Sequence, residues 1–216
     1  MLPYNPPTNP FLDIIYVDSA LVVANKPSGL LTVPGRGEDK SDCLITRIKT
    51  VFPSTDIVHR LDMQTSGLVV LSRTRSAQRK LARSFQERQV DKNYQAWVAG
   101  CPDAESGEIN LPLMPDWPNR PRQKVDMDEG KTACTRWQVL DRREDRCLLS
   151  LTPITGRTHQ LRLHLAEIGH PILGDPLYAP PEVTNMAPRL YLHACNLSFE
   201  HPQTKKQTCF TSQTPF

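Results

Sequence analysis

The sequence predicts a protein of the α/β class, of the α+β type: one domain built on a mostly antiparallel, mixed sheet flanked by helices and loops. Three observations carry this expectation. Short apolar runs come in pairs separated by turns, not as regular strand–helix–strand units. Helical periodicity is confined to a few short stretches. No internal repeat and no linker-like change of composition divides the 216 residues, which are 38% hydrophobic and 23% charged, as in ordinary globular chains.

Taken in order, residues 1–11 are expected to form an extended N-terminal arm, because prolines at 3, 6, 7 and 10 exclude a helix. The domain then runs over residues 12–216. Ile14-Ile15-Tyr16-Val17 and Leu21-Val22-Val23-Ala24 read as a hairpin around Asp18-Ser19-Ala20. Asn25-Lys26-Pro27-Ser28-Gly29-Leu30 follows as a polar turn, in which Lys26 is either a solvated turn residue or an electrostatic support for a site. Residues 33–39, with a proline, two glycines and charges, read as a flexible loop. Ser41 is expected to cap a short helix containing Leu44, Ile45 and Ile48.

Residues 59–67 are an odd interruption. They join Ile57-Val58 to the strand-like run Leu68-Val69-Val70-Leu71, yet they carry a charged cluster where a tight hairpin would place Asn-Gly or Asp-Gly. Loops borne on rigid strands are where chemistry tends to sit.

Residues 75–88 have the clearest helical pattern, with Ala77, Leu81 and Phe85 recurring every four residues. The opposite face is basic. Residues 73–92 hold seven cations and two anions, a local balance of +5. This is either a solvated face or a phosphate-contacting patch, for which Arg79 and Arg83 are the candidates. Residues 93–99 alternate Tyr94, Ala96 and Val98 against Gln95, Trp97 and Ala99, a strand. Residues 111–125 place prolines at 112, 115, 118 and 121, which predicts an extended, exposed segment. Trp117 and Arg120 in it suit base stacking and phosphate contact; a surface loop packed by its tryptophan fits the pattern equally well. A hairpin is expected over 131–140 and 147–152, then a tight polar loop at 153–157. Thr158 should cap a helix carrying Leu161, Leu165 and Ile168, with Gly169 just past its end. The remainder reads as a loop over 171–181, a short element over 189–194, and a hairpin of 196–199 with 208–211.

The formal charge of +3 is only a weak hint of nucleic acid, so its distribution matters more than its sum. The six cysteines, at 43, 101, 134, 147, 195 and 209, include no Cys-x-x-Cys pair. Free thiols in a reducing cytoplasm are the expectation, without zinc or a redox dithiol. No apolar run approaches the ~20 residues of a membrane span. His159 and His164 lie about 140° apart on a helix and share no face, so no metal site is expected. Pro34-Gly35-Arg36-Gly37 lacks the ending of a phosphate-binding loop, and Ser66 has no nucleophile elbow.

Arg60 and Asp62 fit an ordinary surface ion pair. A second polar loop, 155–159, runs into a helix that places His159 and Arg162 one turn apart. An arginine aimed at Asp62 would keep it ionised and fix its direction, and an ionised carboxylate can attack carbon.

His59-Arg60-Leu61-Asp62-Met63-Gln64-Thr65-Ser66-Gly67 resembles the HRLDxxTSG loop of the RluA-type pseudouridine synthases. Asn25-Lys26-Pro27-Ser28-Gly29-Leu30 resembles their first motif and Thr155-Gly156-Arg157-Thr158-His159-Gln160-Leu161-Arg162 their third. Gly169-His170-Pro171-Ile172-Leu173-Gly174-Asp175 and Arg189-Leu190-Tyr191-Leu192-His193-Ala194 are similar as well. The five motifs stand in order from about residue 12 to the end. Asp116-Trp117-Pro118-Asn119-Arg120-Pro121 further resembles the branch that modifies both 23S ribosomal RNA and transfer RNA, and the chain shows no S4-like module.

The resemblance implies the pseudouridine synthase fold and an isomerase that converts uridine to pseudouridine in transfer RNA and 23S ribosomal RNA, with no cofactor or metal. It implies Asp62 as nucleophile, Tyr94 as the platform stacked on uracil and suited to C5 proton removal, and Arg162 as partner of Asp62. Arg60 would fill the space left by the flipped nucleotide, and Leu192 would close the other face of the base. His59 and Thr65 join the substrate contacts, with Arg79, Arg83, Trp117 and Arg120 on the RNA. Attack at the sugar C1′, assistance to a glycal and addition at base C6 remain alternative routes. A monomer with no obligatory protein partner is expected. The competing reading is an RNA-binding or chaperone protein without catalysis, which needs only the basic helix and the Trp117 segment.

Overall fold

The computed structural model describes residues 4–216; the first three residues of the expected arm lie outside the described residues. In chain order the elements are β1 (Ile14–Val17), β2 (Leu21–Lys26), α1 (Leu44–Val51), β3 (Asp56–Ile57), β4 (Ser66–Ser72), α2 (Arg75–Gln86), β5 (Asp91–Ala99) and β6 (Ser106–Asn110). Then follow β7 (Leu113–Pro115), β8 (Gln123–Val125), β9 (Cys134–Arg142), β10 (Arg146–Pro153), α3 (Gln160–Glu167), α4 (Pro181–Thr184), β11 (Leu192–Glu200) and β12 (Gln207–Thr211). This is the α+β class the hairpin pattern predicts. The elements form two compact units. One holds the chain up to Lys92 with Ala194–Pro215, the other Asn93–His193 with Phe216.

In the first unit the strand order is β1-β2-β4-β11, with β3 added to β4 and β12 to β11. β2 and β4 pair antiparallel along their whole length, from Leu21 opposite Ser72 to Lys26 opposite Gly67. β4 is buried at every position, which is why its sequence is a continuous apolar run and not an alternation. Leu21, Val23, Leu68 and Val70 pack with Leu81 of α2 and with Leu197, Phe199 and Phe210. Gly67 has φ +115°, and a Cβ there would overlap the backbone of Ala194, so the strand's entry from the charged loop admits only glycine.

The cap of α2 is Thr74, whose hydroxyl accepts from the Ala77 amide at 3.1 Å. α1 departs from expectation. Its N-cap is Cys43, not Ser41, because Thr46 at the third helical position accepts from the Cys43 amide at 2.9 Å and donates to the Ser41 carbonyl at 3.0 Å. Arg47 on α1 is buried and ties down the arm. It donates to the carbonyls of Pro7 and Phe11 at 2.8 and 3.1 Å and makes a two-pronged ion pair with Asp42, 2.7 Å on each prong.

The second unit is built on β5-β10-β9-β6, all antiparallel. Its core joins Ala96, Val98, Leu149 and Leu151 to Leu161 and Leu165 of α3 and to Leu192. α3 starts at Gln160, preceded by His159 in a left-handed conformation, φ 54°. Thr158 is therefore not its cap. The Gln160 side chain closes the loop instead, accepting from the Thr155 hydroxyl at 2.7 Å and the Arg157 amide at 3.0 Å. The proline-spaced segment becomes a two-stranded antiparallel ribbon, β7 with β8, whose tip is a short 3-10 turn at Trp117–Asn119. Its prolines sit at a strand end and in the turn, where no ladder donor is needed.

Candidate active site

The loop of residues 59–67 is held from behind by the turn that follows β2. Thr65 donates its amide to the Asp62 carbonyl at 3.1 Å, closing a tight turn on Asp62. The Thr32 hydroxyl donates to the Leu61 carbonyl at 2.7 Å, and the Ser28 hydroxyl to the Gln64 carbonyl at 2.6 Å. The Met63 carbonyl accepts from the Gly29 amide at 2.8 Å and from Lys26 Nζ at 3.1 Å. Every carbonyl from Leu61 to Gln64 is thereby engaged. Lys26 is fully buried and also donates to the carbonyls of Pro27 and Leu30 at 2.9 and 2.7 Å. It is not a solvated turn residue: its three protons meet three carbonyls, the arrangement a desolvated ammonium requires. Asp62 is half-buried on this fixed turn, Thr65 is buried, and Arg60 is exposed. Arg60 and Asp62 form no ion pair with each other among the described residues.

His59 has a structural task that the sequence did not show. β3 leaves β4 after Ile57, which pairs with Leu71. The His59 Nε2 then accepts from the next free ladder donor, the Val70 amide, at 3.1 Å. The ring stacks on Phe85 of α2 at 4.5 Å between centroids, tying the loop to the basic helix. Burial, reinforced by the positive charge of Lys92, pulls the His59 pKa down to about 3. Its imidazole is neutral at physiological pH, with the proton on Nδ1.

On α2, Arg79 is exposed, and Arg83 is exposed but bound to Glu87 at 2.7 Å. Lys80 donates to the Pro202 carbonyl at 2.8 Å.

In the second unit, Arg162 of α3 is buried and grips Asp175 with two prongs, Nε to Oδ2 at 2.8 Å and Nη2 to Oδ1 at 2.6 Å. Asp175 Oδ1 accepts in addition from the Leu177 amide at 2.8 Å. Sequence reasoning found Arg162 but not this carboxylate, although Asp175 ends one of the quoted motifs. Gly174 before it has φ 72°, and a Cβ there would run into the Arg189 carbonyl. Tyr94 is half-buried on β5 and packs against the cluster that contains Leu161 and Leu192. The structure thus places the proposed stacking ring and the proposed aliphatic wall in one cluster. His193, next to Leu192, is pulled down to about 4 by burial and by Arg189. Trp117 is 62% exposed at the ribbon tip, with the Arg120 guanidinium 3.5 Å from its ring centroid. That pairing presents one flat cationic surface to solvent and is not a tryptophan packed into the body.

The first unit carries a carboxylate on a rigid turn with a basic helix stacked to it, and the second a guanidinium set by a buried partner and a cation-backed indole; each is a feature that suits nucleic-acid chemistry. The comparisons with known proteins agree. A family model described as RNA pseudouridylate synthase matches residues 20–167. The chain is similar to the dual-specificity RNA pseudouridine synthase RluA of Pasteurella multocida, 48% identical over 100% of this chain and 99% of that one. The protein of the same description from Escherichia coli K12 is 49% identical over 99% and 98%. Among solved structures, human RNA pseudouridylate synthase domain containing 1 superposes with TM-score 0.80 at 26% identity, covering 98% of this chain and 87% of that chain. The chain belongs to the RNA pseudouridylate synthase family, a family of isomerases.

Proposed function

We propose that this chain converts specific uridines of structured RNA to pseudouridine, in both transfer RNA and 23S ribosomal RNA, with Asp62 as the nucleophile. The observation that carries the assignment of Asp62 is the turn beneath it. Four successive carbonyls are anchored to residues 26–32 or within the turn, so the carboxylate is aimed before any substrate arrives. In the reaction the uracil N1–C1′ bond breaks, the base turns, and a C5–C1′ bond forms. The C5 proton leaves and N1 takes one up, so the product is an isomer and the balance needs no cofactor. Tyr94 stacks on the base and is suited to C5 proton removal, Arg162 is the partner of Asp62, Leu192 covers the base, and Arg60 fills the space the nucleotide vacates. Such extrusion costs a few kcal/mol of unstacking, least in a loop. Arg79, Trp117 and Arg120 hold the RNA. The protein works as a monomer in a reducing cytoplasm.

The test is to incubate transfer RNA and 23S ribosomal RNA fragments with wild type and with Asp62→Asn, then map pseudouridine. We expect product from both RNAs with wild type and none with Asp62→Asn, at unchanged RNA affinity. Product from neither RNA refutes the activity; undiminished turnover by Asp62→Asn refutes the nucleophile.

A further inference from the structure

Tyr178 stands where the β7–β8 ribbon meets the base of α3. Its hydroxyl accepts from the Gln123 amide, the first residue of β8, at 2.8 Å. The same hydroxyl lies 2.7 Å from His159 Nδ1. The Arg162 guanidinium lies 5.3 Å from the Tyr178 ring centroid and that of Arg122 at 5.4 Å. The Tyr178 amide also approaches Asp175 Oδ1, at 3.3 Å, and so touches the carboxylate that holds Arg162. One residue thus meets the ribbon, the left-handed residue that precedes α3, and the arginine–aspartate pair.

The ribbon tip is mechanically continuous with Gln123. The Asp116 amide bonds the Arg122 carbonyl at 3.0 Å, and the Asn119 and Arg122 amides bond the carbonyls of Asp116 and Asn119 at 3.1 and 3.0 Å. These bonds enclose Trp117 and Arg120. A closed ring of backbone bonds thus joins the turn that carries the indole to Gln123, whose amide meets Tyr178.

We propose that Tyr178 is a positioning residue that couples RNA engagement at the Trp117 ribbon to the aim of Arg162. RNA seated on the Trp117–Arg120 surface fixes Gln123, and Tyr178 then holds the guanidinium in its productive orientation. This rests on the functional reading above. It assigns the ribbon a part in the rate of the chemical step, beyond affinity.

The experiment is a double-mutant cycle on Tyr178→Phe and Trp117→Ala, reading the single-turnover rate constant at saturating RNA, with RNA affinity measured separately. Tyr178→Phe keeps the ring beside Arg162 and removes only the hydroxyl. Loss of a bonded hydroxyl should slow the wild-type rate about fivefold. Trp117→Ala should slow it about tenfold in wild type but only about twofold in the Tyr178→Phe background, because contacting or networked residues couple whereas independent ones add. Equal Trp117→Ala effects in both backgrounds overturn the proposal, as does an effect of Tyr178→Phe confined to affinity. A merely structural role for Tyr178 would lower the unfolding midpoint without creating the coupling. Should Tyr178→Phe fold poorly, Gln123→Pro removes the donor and leaves the tyrosine, and the same cycle decides by the same criterion. An inactive wild type refutes the functional reading and is distinguishable from additive effects in an active one.

Discussion

His59 acts in place of a peptide carbonyl. Its ring takes the Val70 amide just where β3 parts from β4, and it does so while neutral. The sign of the resulting pH dependence follows. The folded-state pKa is about 3, against about 6.5 for the unfolded chain. Between those values the unfolded chain takes up a proton that the folded chain refuses, so stability is complete above pH 6.5 and falls as pH drops. The slope is at most about 1.4 kcal/mol per pH unit for one such group. His193, held down to about 4 in the other unit, acts in the same direction over a shorter span. Urea unfolding between pH 7 and pH 4 should show this loss, and His59→Gln, which cannot titrate, should flatten the curve; an unchanged curve would remove His59 as its source. The loop's sequence marks His59 and Asp62 as equally polar. Only the fold distinguishes them, by stacking Phe85 on the His59 ring and giving its Nε2 the Val70 amide, while Asp62 is carried on the fixed turn. Lys26 was hidden for the same reason, since its distant acceptor, Met63, lies 37 residues along the chain.

The elements were most legible where one periodicity ran undisturbed. α2 and β4 lie within a residue or two of their patterns because their apolar stripes decide their packing. The starts of α1 and α3 depart from the expected caps, Ser41 and Thr158, because local capping preference is overruled. Thr46 recruits Cys43 as a cap, and the Gln160 side chain closes its own loop. The proline spacing of residues 111–125 predicts either an extended, exposed segment or a surface loop packed by its tryptophan, and neither is a paired ribbon. The segment's antiparallel pairing of Leu113 with Val125 and Pro115 with Gln123 is a contact between its two ends, which composition cannot announce. α2 also sharpens the electrostatic expectation, because its two candidate cations differ: Arg79 is exposed, while Arg83 is already held by Glu87. Exposed ion pairs are weak and screened by salt, so Glu87 restrains Arg83 without burying it. Arg79→Ala should flatten the plot of log affinity for RNA against log salt by about 0.7–0.9, one phosphate contact. Arg83→Ala should do less, and Glu87→Gln should raise affinity. Identical salt slopes in wild type and Arg79→Ala would take α2 off the RNA-binding surface.

At the scale of the whole molecule, the chain leaves the first unit between Lys92 and Asn93 and returns between His193 and Ala194. Both passages fall inside strands, β5 and β11, so no linker composition marks them. What the sequence did carry was the order of five motifs, and each has a physical place: the clamp, the carboxylate turn, the arginine helix, its aspartate partner and the entry to β11 at Leu192. The first unit is completed by residues far along the chain, since Leu197, Phe199 and Phe210 pack with Leu21 and Leu68. A fragment ending at residue 193 lacks them and loses the β11–β12 hairpin. It should expose apolar surface and aggregate, whereas a mixture with a peptide of residues 194–215 should recover part of the fold. Circular dichroism and light scattering check this; a monomeric, cooperatively folded fragment would contradict it.

The clamp on the Asp62 turn also decides which molecule yields when enzyme and RNA meet. The carbonyls of residues 61–64 are each already engaged, and the ammonium behind them is fully buried among its own acceptors. The compliant body in the encounter is the nucleic acid. A uridine in a loop bends to this die at small expense and one locked in a continuous helix at a larger one, so stiffness itself becomes a property by which substrates are sorted.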